Sequence, residues 1–190
     1  TALTQDVSFV FHIEKTADVV VDSLTAEISG IPSTMELTTG LILAQKTYKL
    51  LFRPTYAALP SAADSASAEA LRCEASVNIP GIVRSHTEDM VTGPGILQIA
   101  IYTHYDYEEE GTQRKAAKVF HAGINLYHTL KERKSLQWDE EENGYRQASR
   151  SITVEIGSPL NIDKDGILNG GSTSTGLDQW IPGETFEIEV

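Results

Sequence analysis

The sequence predicts an all-β protein built as an antiparallel β-sandwich, and three observations carry that expectation. Stretches of alternating apolar and polar residues recur at roughly 10–15-residue spacing, the density of a sandwich. Helical periodicity is almost absent. The longest alternating unit, Gly95 to Leu130, reads as one hairpin with an apolar face, which needs a second sheet beneath it.

Taken in order, Val7 to Glu14 sets Val7, Phe9, Phe11 and Ile13 on one face and Ser8, Val10, His12 and Glu14 on the other. A turn at Lys15-Thr16-Ala17 leads into Asp18 to Ile31. There Val19 and Val21 share one parity while Leu24, Ala26 and Ile28 share the other, so a β-bulge at Asp22-Ser23 is expected. Gly30 and Pro32 punctuate. Met35 and Leu37, then Leu41 and Leu43 beyond Gly40, read as a shorter strand pair. Lys46 to Pro54 closes the set with Tyr48, Leu50 and Phe52 on one side.

Residues 57–69 are small, polar and poor in core formers, and are read as a linker. It separates an N-terminal β lobe, residues 1–56, from a C-terminal β-sandwich lobe, residues 70–190. Ala70 to Ile79 is a strand with Leu71, Cys73, Ala75 and Val77 inward. In the Gly95–Leu130 hairpin, Leu97, Ile99, Ile101 and Thr103 face the same side as Phe120, Ala122, Ile124, Leu126 and Leu130. A turn near Glu110-Gly111-Thr112-Gln113 with Glu109 opposite Arg114 would pair Leu97 with Leu126 and Ile101 with Ala122. A slip of two residues would keep the faces and change the pairs. Lys131 to Arg150 is a charged hairpin or loop, Ser151 to Ile156 an alternating strand, and Asn161 to Gly176 an extended, mobile tail. Glu184 to Val190 is the last strand, with Phe186, Ile188 and Val190 alternating with glutamates.

The 190 residues suffice for one large sandwich or two small ones. With 27 acidic and 15 basic residues the net charge is -12, which disfavours nucleic acid and anionic lipid as partners. Cys73 is the only cysteine, so no internal disulfide can form. In its alternating strand it reads as a small buried hydrophobe rather than a nucleophile. No apolar run approaches the ~18–20 residues that span a bilayer. The chain starts at Thr1 and is in a strand by Val7, so an N-terminal portion is expected to precede it.

Chemistry-bearing patterns are few. His104 and His121 share the polar face of the hairpin, but a zinc site needs three or four convergent ligands. Asn161, Asp163 and Asp165, followed by Gly166, match the front of a calcium loop. The twelfth position is Ser172 instead of a bidentate glutamate, and a polar Asx turn is the expectation. The acidic runs Glu108–Glu110 and Asp139–Glu142 read as solvated charge. No nucleophile elbow, phosphate-binding loop or dinucleotide fingerprint occurs, so neither an enzyme nor a cofactor is expected.

Val7 to Glu14, the stretch Leu24 to Gly40 with its Gly30-Ile31-Pro32 turn, Val119 to Leu130, and Ser151 to Gly157 ahead of Gln179-Trp180 together carry a family resemblance. In their order they resemble the fimbrillin-like anchor and accessory proteins of type V fimbriae of Bacteroidetes, the FimB-type group. The resemblance implies transthyretin-like β-sandwich lobes, export to the outer membrane and cell surface as a lipoprotein, and a structural role among other fimbrial subunits. Membrane contact would then come only through a lipid anchor not present in this chain. Subunits of such fibres join by strand addition, and Phe186, Ile188 and Val190 have the alternation a partner strand requires. The alternative is an extracellular carbohydrate-binding β-sandwich in which Trp138, Trp180, Tyr102, Tyr105 and Tyr107 supply stacking faces.

Overall fold

The structure, a computed structural model, describes residues 4–59, 68–84, 92–139, 144–147, 150–167 and 180–188. Among them the chain forms β1 (Gln5–Thr16), β2 (Val19–Met35), β3 (Ile42–Phe52), β4 (Thr55–Ala58), β5 (Ala68–Ile79), β6 (Leu97–Glu109) and β7 (Thr112–Ile124). A short helix α1 (Leu126–Glu132) follows, then β8 (Leu136–Asp139), β9 (Gly144–Gln147), β10 (Ser151–Glu155), β11 (Leu160–Ile162) and β12 (Ile181–Ile188).

Two sheets face each other, so the all-β sandwich expected from the alternation is what forms. The first runs β10-β1-β5-β4, with β11 continuing beside β1; the second runs β12-β7-β6-β2-β3. Pairing is antiparallel except where β10 and β11 lie parallel to β1. The inward parity of β1 is the one read from sequence: Val7, Phe9, Phe11 and Ile13 are fully buried against Leu71, Cys73 and Ile79 of β5. Across the interface Phe9 stacks on Phe52 at 5.9 Å, and Phe11 meets Trp180 edge-on at 5.3 Å. Apolar area removed from water at these faces, worth about 25 cal/mol per Å², is what holds the sheets together.

The bulge expected at Asp22-Ser23 is present as a register shift between Val21 and Ser23 against β6. Its exposed carbonyls find a partner across the sandwich. The Tyr56 hydroxyl of β4 lies 3.0 Å from the Val21 oxygen and 3.1 Å from that of Asp22, sharing its hydrogen between them.

The β6–β7 hairpin keeps its expected faces but not its expected pairs. Its turn has two residues, Glu110 and Gly111, both at positive φ (51° and 76°), the primed geometry that matches strand twist. Glu109 therefore pairs with Thr112, Leu97 with Ile124 and Ile101 with Phe120, two residues from the expected register. Glu109 and Arg114 still meet, diagonally, in a 2.8 Å ion pair.

The second arm also ends early. Leu126 to Leu130 is helix, with the Asn125 carboxamide oxygen accepting the His128 N–H at 3.1 Å as an N-cap. Leu126 and Leu130 are four apart, which suits one helix face as well as one strand face. Five successive buried residues, Leu126 to Leu130, close one end of the sandwich.

The expected linker at 57–69 begins inside β4, whose Ala57 and Ala58 pair with Arg72 and Leu71 of β5. Strands from residues 1–56 and from residues 70–190 share both sheets: in the first, β1 lies between β10 and β5, and in the second, β2 pairs with β6. One hydrophobic cluster takes side chains from both segments. Of the expected tail, Leu160–Ile162 forms β11, and residues 168–179 lie outside the described residues.

Candidate functional site

A sandwich has open edges, and unpaired N–H and C=O groups there template the addition of foreign strands. In the first sheet, β4 has only four residues. The opposite edge, β10, is sealed by a side chain. Asp6 and Ile156 bond across to β10 and β1 through Arg150 and Val10, so Thr153 and Glu155 aim their carbonyls outward. The Arg133 guanidinium at the end of α1 donates to both, at 3.1 and 2.8 Å. In the second sheet, β3 is twice shifted in register against β2 and carries the exposed lysines Lys46 and Lys49. Each device blunts an edge.

The remaining edge is β12. It pairs with β7 from Ile181 opposite Gly123 to Ile188 opposite Ala117, with a bulge between Pro182 and Thr185. Gly183 in the bulge lies so close to β7 that a Cβ there would stand 3.0 Å from the His121 Cβ. The bulge inverts the facing that an unbroken ladder from Pro182 would give the strand. Inner-face residues of β7 are Lys118, Phe120 and Ala122, all buried, so Thr185 opposite Phe120 and Glu187 opposite Lys118 take the inner side. Phe186, opposite Val119, is turned to the outer face, 51% exposed and edge-on to His121 at 5.5 Å. For Ile188 only the backbone pairing is described, and Val190 lies outside the described residues.

Lys118 explains the inversion. It is a lysine at an inward position of a core strand, its side chain only 8% exposed. Its ammonium donates to the Lys164 carbonyl at 2.6 Å, lies 3.1 Å from the Glu187 carboxylate and sits 5.4 Å from the Tyr105 ring centre. Burial would lower its pKa, but the Glu187 carboxylate and Tyr105 outweigh burial and raise it. Without the bulge, Phe186 would face this ammonium and leave it without its carboxylate.

Just before β12, Trp180 is 5% exposed and packed on Phe11, so it offers no stacking face to a sugar. Its indole N–H is buried without a hydrogen-bond partner. The Trp138 side chain lies outside the described residues. Tyr102 is half-buried on the outer face opposite Val119, whereas Tyr105 and Tyr107 lie together, ring centres 6.3 Å apart, in a cleft at the hairpin end.

The calcium-loop residues form an Asx turn instead. The Asp163 carboxylate accepts the N–H groups of Asp165 and Gly166 at 2.7 and 2.8 Å, and Asn161 lies in β11 opposite Glu14 of β1. Among the described residues no group of three His, Cys, Asp or Glu side chains could hold a metal ion. His104 and His121 do not face each other: His104 is opposite Ala117 and bonds Asp22 at 2.8 Å, and His121 is opposite Ala100. Cys73 is fully buried, and burial pushes its thiol up to about 12.

Sequence reasoning missed Lys118 and Arg133. Lys118 was readable, since it shares parity with Phe120, Ala122 and Ile124. Arg133 was not, because nothing local ties a helix C-terminus to a strand twenty residues on. No family model, curated protein or solved structure matches the chain.

Proposed function

We propose that this protein is a non-enzymatic structural component that joins partners by β-strand addition. That is the role expected of an anchor or accessory subunit of a cell-surface fimbria, with other fimbrial subunits as its partners. One observation carries the reading: Phe186 of β12 stands half exposed on the outer face, with an edge-on contact to His121. Phe186 points to solvent, and every β12 side chain that is described is exposed. The strand is held by its backbone ladder, the Lys118–Glu187 pair and the Trp180 hook. A strand of that kind detaches at small cost and can lay Phe186 into the groove of a neighbouring sheet, where backbone bonds supply affinity and alternate side chains specificity. Among the described residues the edges at β4, β10 and β3 are short, capped by Arg133, or broken by register shifts and lysines, which favours addition at this one.

Deleting residues 183–190 tests the reading. The shortened chain should still melt cooperatively but no longer assemble with fellow subunits, and a labelled peptide of residues 181–190 should bind it and not the intact chain. Unchanged assembly after the deletion would remove β12 as the joining element.

A further inference from the structure

The turn end of the β6–β7 hairpin borders a cleft to which, among the described residues, neither β1 nor β5 contributes a wall. Tyr105 and Tyr107 continue the inward parity of Ile99 and Ile101, with Ala116 and Arg114 opposite them on β7. Together with the 163–166 turn and Glu187 of β12 they enclose a cleft of about 850 Å³. We propose that this cleft binds a saccharide, with Tyr107 as the stacking platform. The inference does not require strand addition, although release of β12 would take Glu187 out of the cleft wall.

The lining argues for that ligand class. Tyr107 is 38% exposed, offering a ring face to the C–H side of a pyranose. Around it stand hydrogen-bond acceptors, the carboxylates of Asp165 and Glu187, and donors, the Arg114 guanidinium and the Lys164 ammonium. A sugar hydroxyl both donates and accepts, so mixed charges at the rim suit it. Phosphate would be repelled by the carboxylates, an apolar ligand would strand the charges, and among the described residues no group of three His, Cys, Asp or Glu side chains could hold a cation. The volume lies within the ~300–1,000 Å³ of small-molecule sites.

The far wall is also preset. Asp163 binds the N–H groups of Asp165 and Gly166, and the Lys118 ammonium grips the Lys164 carbonyl at 2.6 Å. The turn carrying Lys164 and Asp165 is thereby fixed before any ligand arrives, which lowers the ordering cost of binding.

Saturation-transfer NMR on the intact chain tests the proposal. The probes are glucose, galactose, mannose and N-acetylglucosamine, with maltose, cellobiose and lactose, each at millimolar concentration. At least one should receive saturation, concentrated on ring C–H protons. Tyr107→Ala should weaken its affinity at least about tenfold and Tyr107→Phe by less than about threefold. Tyr102→Ala, on the opposite face of the sheet, should change nothing. Asp165→Asn should weaken binding while the thermal melt is unmoved, separating lost contacts from lost fold. No transfer to any of the seven sugars, or transfer that survives Tyr107→Ala unchanged, overturns the proposal.

Discussion

Trp180→Ala is the perturbation that weighs most on the way β12 is held. The indole is 5% exposed and meets Phe11 edge-on at 5.3 Å. Truncating a core tryptophan to alanine costs about 3–5 kcal/mol through lost transfer energy and the cavity left behind. The edge-on pair accounts for about 0.5–1.5 kcal/mol of that. One term runs the other way: the indole N–H is buried without a partner, and deleting such a group returns about 1–3 kcal/mol. The midpoints leave an expected net loss of about 2 kcal/mol, below the usual figure for a buried tryptophan. Trp180→Phe keeps a ring on Phe11 and removes the orphaned N–H, so it should stay within about 1 kcal/mol of the parent.

Urea unfolding with an unchanged m-value measures both variants. Amide exchange adds the local answer. Protection along β12 should sit well below that of β1 in the parent chain and fall further in Trp180→Ala, while β1 follows global stability. A loss under about 1 kcal/mol for Trp180→Ala would refute the anchoring role, as would Trp180→Phe costing as much as alanine. Protection of β12 equal to that of β1 would refute the lightly held strand itself.

Three further outcomes are expected. Because burial raises the folded-state thiol of Cys73 from 9.0 to about 12, its stabilising effect is whole below pH 9 and is lost as pH rises toward 12. The ceiling is roughly 4 kcal/mol, and Cys73→Ala should flatten that alkaline loss in urea titrations; native Cys73 should also ignore a thiol reagent until the chain unfolds. Arg133→Ala should uncover the Thr153 and Glu155 carbonyls and produce concentration-dependent association by light scattering, at a stability cost of about 1–3 kcal/mol. Gly30→Ala should cost more than about 2 kcal/mol, since φ is +76° and the new Cβ would stand 2.6 Å from the Gly95 nitrogen; a melt within a degree of the parent would contradict that close approach.

What was legible in the sequence followed from parity. The inward rows of β1, β5 and β6, the bulge at Asp22-Ser23 and the buried state of Cys73 all come from a two-residue period that one buried face enforces. Parity is blind to shifts of two, which is why the hairpin faces were right and its pairs were not. It is equally blind to a helix that starts after a strand when apolar residues fall four apart, as Leu126 and Leu130 do. It also assumes an unbroken ladder, and alternation alone could not say which side Phe186 takes once the register shifts between Pro182 and Thr185. Parallel placement of β10 and β11 beside β1 is set by contacts some 140 residues apart in sequence, which no local pattern encodes.

The edge that looks least defended is still selective. If β12 leaves, β7 presents its ladder groups from Ala117 to Gly123, and among them the inward ammonium of Lys118 keeps its bond to the Lys164 carbonyl but loses the Glu187 carboxylate. An incoming strand that places an apolar side chain there buries a charge without its counter-ion, a cost of several kcal/mol. A strand that places a carboxylate there, and a glycine where His121 leaves no room for a Cβ, restores the Lys118 ion pair and the close approach to β7. The inward lysine thus acts against indiscriminate pairing, as inward charges do on natural edge strands, and in favour of a narrow class of replacements. Under the proposed strand exchange Phe186 would work in the opposite sense: outward and touching His121 edge-on at home, it would add affinity where β12 lies on another sheet. Retention by Lys118 and Glu187 and release by Phe186 are set against each other within two adjacent positions of one strand.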